Sequence, residues 1–362
     1  MRCNIPIFKA AACFFAAFAL CRPVHALSFN ITYDASVSNR SDYAQIVIAI
    51  NYTALEFSSL FTNPITINIL VQADPTISGG ESTENYMPTT YSAVRSALIA
   101  HATSPDDVTA DASLPVTDPT GGGIFTIAMA EAKAIGLLNA TNPASDGAFG
   151  MGANDPWTYD PANRAVAGKE DFIGTAEHEF SEVMGRNSDL GFYMTNGYQP
   201  FDLFHYYAPG VRSFDLYATN DYFSIDGGVT DLKPFNPYSN GGDNMDWYEV
   251  SDPPDSFDAF GVLDAETPMF PVDLVVMNIL GYTLNTTPAR ITNHTVLPNH
   301  TFSLSGTGVV SQTYILVAAT NLAPPVVWTP LATNIAVLNG NFNFTDLTAT
   351  NFRTRFYRVH SP

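Results

Sequence analysis

The sequence predicts an α+β protein in which a large mixed domain is followed by a small all-β domain. Strand, helix and strand patterns follow one another near the start of the chain, and a helix rich in His and Glu lies near its centre. After Asn285 the composition changes to short alternating segments rich in Thr, Asn, Val and Phe. We therefore expect a signal peptide at 1–26, a large domain at 27–285 and a β-sandwich at 286–362.

The first 26 residues have the pattern of a secretory signal peptide. Arg2 and Lys9 flank an apolar run from Ala10 to Leu20, and the small residues up to Ala26 suit a signal peptidase. The apolar run is too short to cross a bilayer. We expect cleavage near Ala26 and a secreted protein, either extracellular or periplasmic.

Charge and cysteine content exclude several partners and several kinds of chemistry for the exported chain. After cleavage it has twelve basic and 35 acidic residues, a net charge of −23 that repels nucleic acid and anionic membranes. No second long apolar run follows, so we expect no membrane anchor and no nucleic-acid partner. All three cysteines lie within 1–26, which excludes disulfides, Cys-ligated zinc and a Cys nucleophile in the mature chain. The many carboxylates make calcium a candidate ligand.

Apolar periodicity predicts the elements on either side of the central helix. Before it we expect a strand at 27–33, a helix from about 42 to 61, a strand at 65–71, helices at 91–102 and 124–138, a loop at 103–107, and a hairpin formed by 147–152 and 157–160. The first three follow the order of a right-handed βαβ unit. After it we expect a hairpin at 222–230, a helix at 271–281 and sandwich strands at 301–305, 313–317 and 355–359.

The central helix combines an apolar face with a polar face that could bind a metal ion. The apolar face is formed by Phe172, Ala176, Phe180 and Val183. On the other face His178 and Glu182 are four residues apart, so both side chains could reach one metal ion. Glu179 stands where the H-E-x-x-H motif of zinc peptidases has its general base. Glu182 replaces the second His of that motif.

A hydrolytic zinc site needs three protein ligands and an open position for water. In the longer H-E-x-x-H-x-x-G-x-x-H arrangement a glycine turns the chain so that a third side chain returns to the metal. Gly185 stands at that glycine, but Ser188 stands at the last His. We rank His205 first as the third ligand, followed by Asp189 and then Asp202.

Three charged residues near the central motif allow two interpretations each. Asp243 and Asp246 could bind calcium through their carboxylates or could cap turns of a Gly- and Asn-rich loop. Arg186 could bind a substrate carboxylate or could interact with the dipole at the helix end. The same loop contains Trp247, which we expect to anchor it in the core.

These motifs resemble a family of secreted bacterial metalloproteases with a His-Glu-x-x-Glu-x-x-Gly-Arg motif, many of them in proteins with a PEP-type C-terminal sorting signal. The matching segments are 177–186, 202–204 with 208–213, 223–228 and 273–281. The resemblance runs from about Leu27 to Leu284 and implies a metzincin-like order of elements. Here a β-rich region stands in place of the sorting signal, so we expect free secretion. His205 stands where we expect an Arg after Asp-Leu-Phe.

The leading hypothesis is a secreted zinc-dependent endopeptidase that hydrolyses protein or peptide substrates. His178 and Glu182 would bind zinc, and Glu179 would activate water. The alternative is a non-catalytic exported binding or adhesion protein on a degenerate protease scaffold. The replacement of His by Glu at position 182 motivates that alternative.

Overall fold

The computed structural model describes residues 27–191, 194–248, 253–309, 312–337 and 340–361. The predicted signal peptide lies outside these residues. Helices and several separate sheets alternate along the chain, which confirms a mixed α+β composition. Within the described ranges, no helix has both the length and the apolar character needed to cross a membrane.

The first 183 residues supply most of the helices and the main sheet. The elements are β1 (Ser28–Tyr33), α1 (Ala35–Ser38), α2 (Tyr43–Leu60), β2 (Thr66–Asp74), β3 (Gly80–Glu84), β4 (Tyr86–Thr89), α3 (Tyr91–His101), α4 (Pro105–Ser113), β5 (Ile124–Ala128), α5 (Met129–Ala134), β6 (Gly147–Gly152), β7 (Trp157–Thr158), β8 (Glu170–Asp171) and α6 (Phe172–Val183).

The elements that follow α6 are mainly short strands. The elements are β9 (Gly197–Tyr198), β10 (His205–Ala208), β11 (Val211–Arg212), β12 (Tyr222–Phe223), β13 (Lys233–Pro234), α7 (Pro271–Ile279), β14 (Arg290–Val296), β15 (Phe302–Thr307), β16 (Thr313–Ala319), β17 (Thr329–Ile335), β18 (Asn341–Asp346) and β19 (Phe356–His360).

The main sheet has the strand order β1-β2-β6-β3. Strands β1, β2 and β6 run parallel, and β3 pairs antiparallel with β6 at the edge of the sheet. Because α2 connects the parallel neighbours β1 and β2, the predicted βαβ order is confirmed. The edge strand β3 lies next to α6 and brings its Ser82 to the face of that helix that carries Glu182.

The prediction for α6 is confirmed, including its apolar face. Phe172, Ala176, Phe180 and Val183 are fully buried. The Phe180 ring packs 5.6 Å from the ring of Phe29 in β1 and 6.2 Å from that of Phe149 in β6, measured between centroids. This packing fixes the helix against the sheet and turns its polar face away from the core.

Four local predictions were wrong, and tertiary pairing explains three of them. The segment 124–138 begins with β5, because its first five residues pair with both β4 and β9 before α5 starts. The strand at 147–152 pairs with β2 and β3 instead of forming a hairpin with β7. The predicted turn after β12 leads to β13, which lies further along the chain than expected. The expected loop at 103–107 instead starts α4, whose Ser104 and Asp107 form a capping box.

The C-terminal strands form two three-stranded antiparallel sheets with the orders β14-β15-β18 and β17-β16-β19. The predicted strands at 301–305, 313–317 and 355–359 correspond to β15, β16 and β19. A separate cluster of buried side chains lies between them: Leu304, Tyr314, Leu316, Ala336, Phe342 and Phe344. The division into domains at residue 286 stays a prediction, since Val309 packs in the larger core.

Candidate metal centre

Hydrogen bonds at both ends of helix α6 fix its boundaries and so position its polar face. At the start, the Asp171 side chain accepts a hydrogen bond from the Ile173 backbone N–H. At the end, Gly185 has φ of +111°, a conformation that only glycine adopts without strain. The Gly185 N–H donates to the Glu182 carbonyl and the Arg186 N–H to the Ser181 carbonyl, which ends the helix and turns the chain back.

Replacing Gly185 by Ala should destabilise the fold by about 1–3 kcal/mol because of backbone strain. The added Cβ would also lie 2.7 Å from Glu131 Oε2. Chemical denaturation would measure the change. Gly136→Ala is the control, since Gly136 also has positive φ but has open space at its Cβ position. Equal losses for the two variants would contradict a steric contribution at Gly185.

The structure brings His178 together with two carboxylates. His178 Nε2 lies 3.1 Å from Glu182 Oε1 and 3.4 Å from Asp246 Oδ1. Ligand atoms of His178, Glu179 and Glu182 all lie within 4.8 Å of one another, as do those of Glu182, Asp243 and Asp246. Glu182 belongs to both groups, so the two form one continuous cluster of possible metal ligands.

The hydrogen bond from His178 to Ser256 uses Nδ1, so Nε2 is the ring nitrogen that faces the carboxylates. The Nδ1 atom lies 2.7 Å from the Ser256 carbonyl oxygen, which can only accept, so Nδ1 carries a proton and Nε2 is the nitrogen that could bind a metal ion after losing its own proton. Burial lowers the pKa of His178, but the Asp246 and Glu182 carboxylates outweigh it and raise that pKa to about 10. The Asp246 and Glu182 carboxylates therefore favour a positive charge on the His178 ring.

Glu179 lies in the cluster without a partner. Its side chain is 5% exposed, and its carboxylate has no hydrogen bond or ion pair with the residues that the structure describes. Gly80 of β3 makes room for it, because a Cβ at that position would collide with Glu179 Oε1. Burial and the neighbouring Glu182 raise the pKa of Glu179 well above its usual range. A carboxyl group with a raised pKa is suited to accept and return a proton near neutral pH.

Glu182 is the carboxylate with the most partners. Ser82 Oγ donates a 2.6 Å hydrogen bond to its Oε2, and Arg186 Nη2 lies 3.3 Å from its Oε1. Burial raises the pKa of Glu182, but His178 and Arg186 more than offset this and lower that pKa to about 2. Glu182 is therefore ionised and oriented, as a metal ligand must be.

Arg186 folds back beneath the helix and is fully buried. Its Nη1 lies 2.5 Å from Asp246 Oδ1, and its Nε donates to Ser181 Oγ at 2.8 Å. Its Nη2 donates to the His178 carbonyl oxygen at 3.3 Å, and its guanidinium lies 4.3 Å above the centroid of the Phe257 ring. Arg186 thus connects α6 to the two loops that complete the site.

Those two loops, 243–247 and 255–258, are tied to each other and to the core. The Trp247 N–H donates to the Phe257 carbonyl, and the Ala259 N–H donates to the Trp247 carbonyl. The Trp247 indole is fully buried and donates to Asp273 Oδ1 in α7 at 2.7 Å. The expected anchoring role of Trp247 is confirmed, and it holds Asp246 in place one residue away.

A cavity of about 670 Å³ opens over the cluster. The edge strand β3 forms one wall, α6 forms the floor, and the segments 241–246 and 255–263 form the opposite wall. His178, Glu179, Glu182 and Asp246 all line this cavity. The cluster is therefore accessible to a small ligand or to an extended chain.

The structure does not bring the three expected third ligands to His178. No group of possible metal ligands among the described residues contains His205, Asp189 or Asp202. The buried ring of His205 stacks on Phe235 with 3.6 Å between centroids, and its Nδ1 lies 3.2 Å from Asp221.

The other two expected ligands, Asp189 and Asp202, accept hydrogen bonds from backbone N–H groups in the segment that follows α6. Asp202 Oδ2 accepts from the backbone N–H groups of Gln199 and Asp189. Asp189 Oδ1 accepts from the Met194 N–H. Their carboxylates therefore organise the chain around 187–202, which the spacing of residues after the helix could not reveal.

Asp246, and not His205, lies beside His178. The sequence predicts for Asp246 and Asp243 either calcium binding or turn capping, in an acidic loop about sixty residues beyond the helix. Long-range packing through Trp247 brings Asp246 to Nε2 of His178. The one sequence signal for it was the concentration of Asp, Asn and Gly in that loop.

The donor set is compatible with a divalent cation. One imidazole and two carboxylates meet in the first group, His178, Glu179 and Glu182, and three carboxylates meet in the second, Glu182, Asp243 and Asp246. Imidazole with carboxylate ligands is found in zinc sites, and carboxylates alone suit calcium. His178, Glu182 and Asp246 would form the first kind of site, and Glu182, Asp243 and Asp246 the second.

No protein-family model matches the chain, and no curated protein or solved structure matches it.

Proposed function

We propose that the chain is an exported, metal-dependent endopeptidase whose catalytic domain is 27–285. His178, Glu182 and Asp246 hold the metal, which we propose to be zinc, and Glu179 is the general base. In this proposal the signal peptide is removed near Ala26, and the C-terminal β-sandwich is an accessory domain. The order of βαβ unit, mixed sheet and metal helix supports a metzincin-like assignment by analogy.

The observation that carries the proposal is Glu179 grouped with His178 and Glu182 in one cavity, with Asp246 Oδ1 3.4 Å from His178 Nε2. Glu179 is 5% exposed and lines the cavity, so its carboxyl group is largely removed from solvent but can still meet a molecule in the cavity. A catalytic base needs this environment, because burial raises its pKa toward the working pH. A helix face kept only for solubility would have no such residue.

The roles of the chain's own groups follow from their contacts. A divalent cation held here would supply Lewis-acid polarisation of a carbonyl and a more acidic water. Ser82 and Arg186 orient the Glu182 carboxylate, and the Ser256 carbonyl fixes the His178 tautomer. Glu179 accepts a proton from water and returns it to the leaving amine.

The edge strand β3 supports a peptide as the substrate. Among the strands in the described part of the chain only β6 pairs with it, so its other edge is open along the cavity wall. An extended peptide can add to such an edge through backbone hydrogen bonds. Gly80 and Ser82 would then place the peptide directly over the α6 cluster.

The mature chain, beginning at Leu27, is expected to contain about one equivalent of zinc and to lose thermal stability when a chelator removes it. Elemental analysis and thermal denaturation with and without chelator would test this. Added zinc, manganese or calcium would identify the metal that restores stability. A well-folded chain that holds no metal and ignores the chelator would contradict the metal centre.

One observation favours the non-catalytic alternative. The guanidinium of Arg186 contacts both Asp246 and Glu182, so it already neutralises part of the negative charge that a cation would neutralise. In that case the cluster is a buried ion-pair network, and the cavity binds a ligand without hydrolysing it. This alternative predicts ligand binding that survives both chelation and Glu179→Gln.

A further inference from the structure

The cavity wall carries far more negative charge than the metal centre requires. Nine carboxylates line it, and neither Lys nor Arg is among its described lining residues. Glu179, Glu182 and Asp246 belong to the proposed centre. Asp255 and Asp258 lie 2.5 Å and 3.9 Å from the ammonium of Lys233, and Glu84 accepts a hydrogen bond from Tyr86 and contacts the Ser82 hydroxyl.

One of the remaining carboxylates, Glu170, has no partner of its own. The described residues provide neither a hydrogen bond nor an ion pair for its side chain, although the residue is only half-exposed. Burial and the neighbouring carboxylates of Asp155 and Asp171 raise its pKa to about 7. A lysine or arginine side chain would supply the missing partner.

The Glu170 carboxylate packs against two glycines of the cavity wall. A Cβ at Gly261 would collide with Glu170 Oε1, and a Cβ at Gly79 would lie 3.9 Å from it. Glu170 itself is held by pairing with Trp157 and by a bridge to Leu263. The carboxylate therefore occupies a fixed position between the loop before β3 and the opposite cavity wall.

A second polar group in the cavity also lacks a partner. The Ser256 hydroxyl is nine-tenths buried or more, lines the cavity and has no hydrogen bond with the described residues. Buried polar groups in native proteins are nearly always satisfied. The Ser256 hydroxyl is therefore a second unsatisfied polar group at the cavity wall.

We infer that Glu170 forms a subsite that selects a lysine or arginine side chain, so that the peptides cleaved are cationic. This inference rests on the proposed function. Gly79 lies beside Glu170 and Ser82 contacts Glu182, and these two positions on the edge strand are about 10 Å apart at the rise of a β-strand. The selected side chain is therefore two or three residues from the bond that is cleaved.

A lysine scan through a neutral, internally quenched peptide tests the inference. Lysine two or three residues from the cleaved bond should raise kcat/KM about tenfold or more over glutamine, as expected for one charge-assisted hydrogen bond. Glu170→Gln should remove this preference, so that the ratio of kcat/KM for the lysine peptide to that for the glutamine peptide falls to about one. Glu81→Gln neutralises another cavity residue and Asp231→Asn an exposed one outside the cavity, and both should retain the preference.

A preference that persists in Glu170→Gln, or that falls equally in Glu81→Gln, would overturn the subsite. If no peptide is cleaved, the proposed function fails, and binding then decides the subsite separately. Fluorescence anisotropy would compare the lysine peptide on Glu179→Gln with the same peptide on the Glu170→Gln, Glu179→Gln double variant. Tenfold weaker binding to the double variant supports the subsite, and equal binding overturns it.

Discussion

Replacing Glu179 by Gln should lower peptide cleavage by about 10²–10⁴-fold, the usual contribution of a general base. The amide is nearly the same size as the carboxyl group but cannot accept the proton from water. Glu179 has no partner among the described residues, so the change breaks no contact there. Folding and metal content should stay at wild-type levels.

The measurement is kcat/KM on a quenched peptide, with metal content determined on the same preparation. Glu131→Gln is the matched control, because Glu131 is also fully buried, has no hydrogen bond among the described residues, and lies outside the cavity lining. That control should cleave at the wild-type rate. Unchanged cleavage in Glu179→Gln would remove Glu179 from the mechanism.

The sequence was sufficient to predict the main elements that hold the site. Periodicity identified α6 and its apolar face because Phe172, Phe180 and Val183 recur at helical spacing and pack against one surface. The βαβ order was equally readable, since β1 and β2 are apolar strands with a long helix between them. Local patterns determine such elements, so the sequence shows them directly.

What the sequence could not provide was pairing between distant segments. Strand β3 has polar residues at most positions and so has no clear apolar alternation, yet it forms the edge that faces α6. Asp246 and Ser256 reach His178 only through loops fixed by Trp247 and Phe257. His205 ranked first because it is the histidine that follows the helix most closely in sequence, but its ring is buried against Phe235.

Replacing Asp246 by Asn should weaken metal binding by more than the 10–100-fold that is typical of an outer hydrogen-bond partner. In the proposed centre Asp246 is a ligand, and its carboxylate also faces the buried Arg186. Removing the charge leaves Arg186 with Glu182 as its remaining carboxylate neighbour in the cluster. Breaking a buried ion pair in this way costs about 3–5 kcal/mol.

His205→Gln and Asp243→Asn separate these effects. His205 lies outside both groups of possible metal ligands, so its replacement should leave metal affinity unchanged. Asp243 belongs to the all-carboxylate cluster with Glu182 and Asp246 and not to the cluster that contains His178. Its replacement should therefore weaken calcium binding more than zinc binding. Metal affinity measured by competition with a chromogenic chelator would compare the three variants.

The effect of a chelator on stability distinguishes a metal centre from a buried ion-pair network. If the cluster holds a metal, chelation destabilises the wild type but hardly changes Asp246→Asn, so the two losses are not additive. If Arg186 alone neutralises the cluster, Asp246→Asn loses the same free energy of unfolding with or without chelator. Denaturant titrations of both proteins under both conditions measure this coupling. A coupling of zero would assign Asp246 to the Arg186 ion pair and leave His178 and Glu182 without a third ligand.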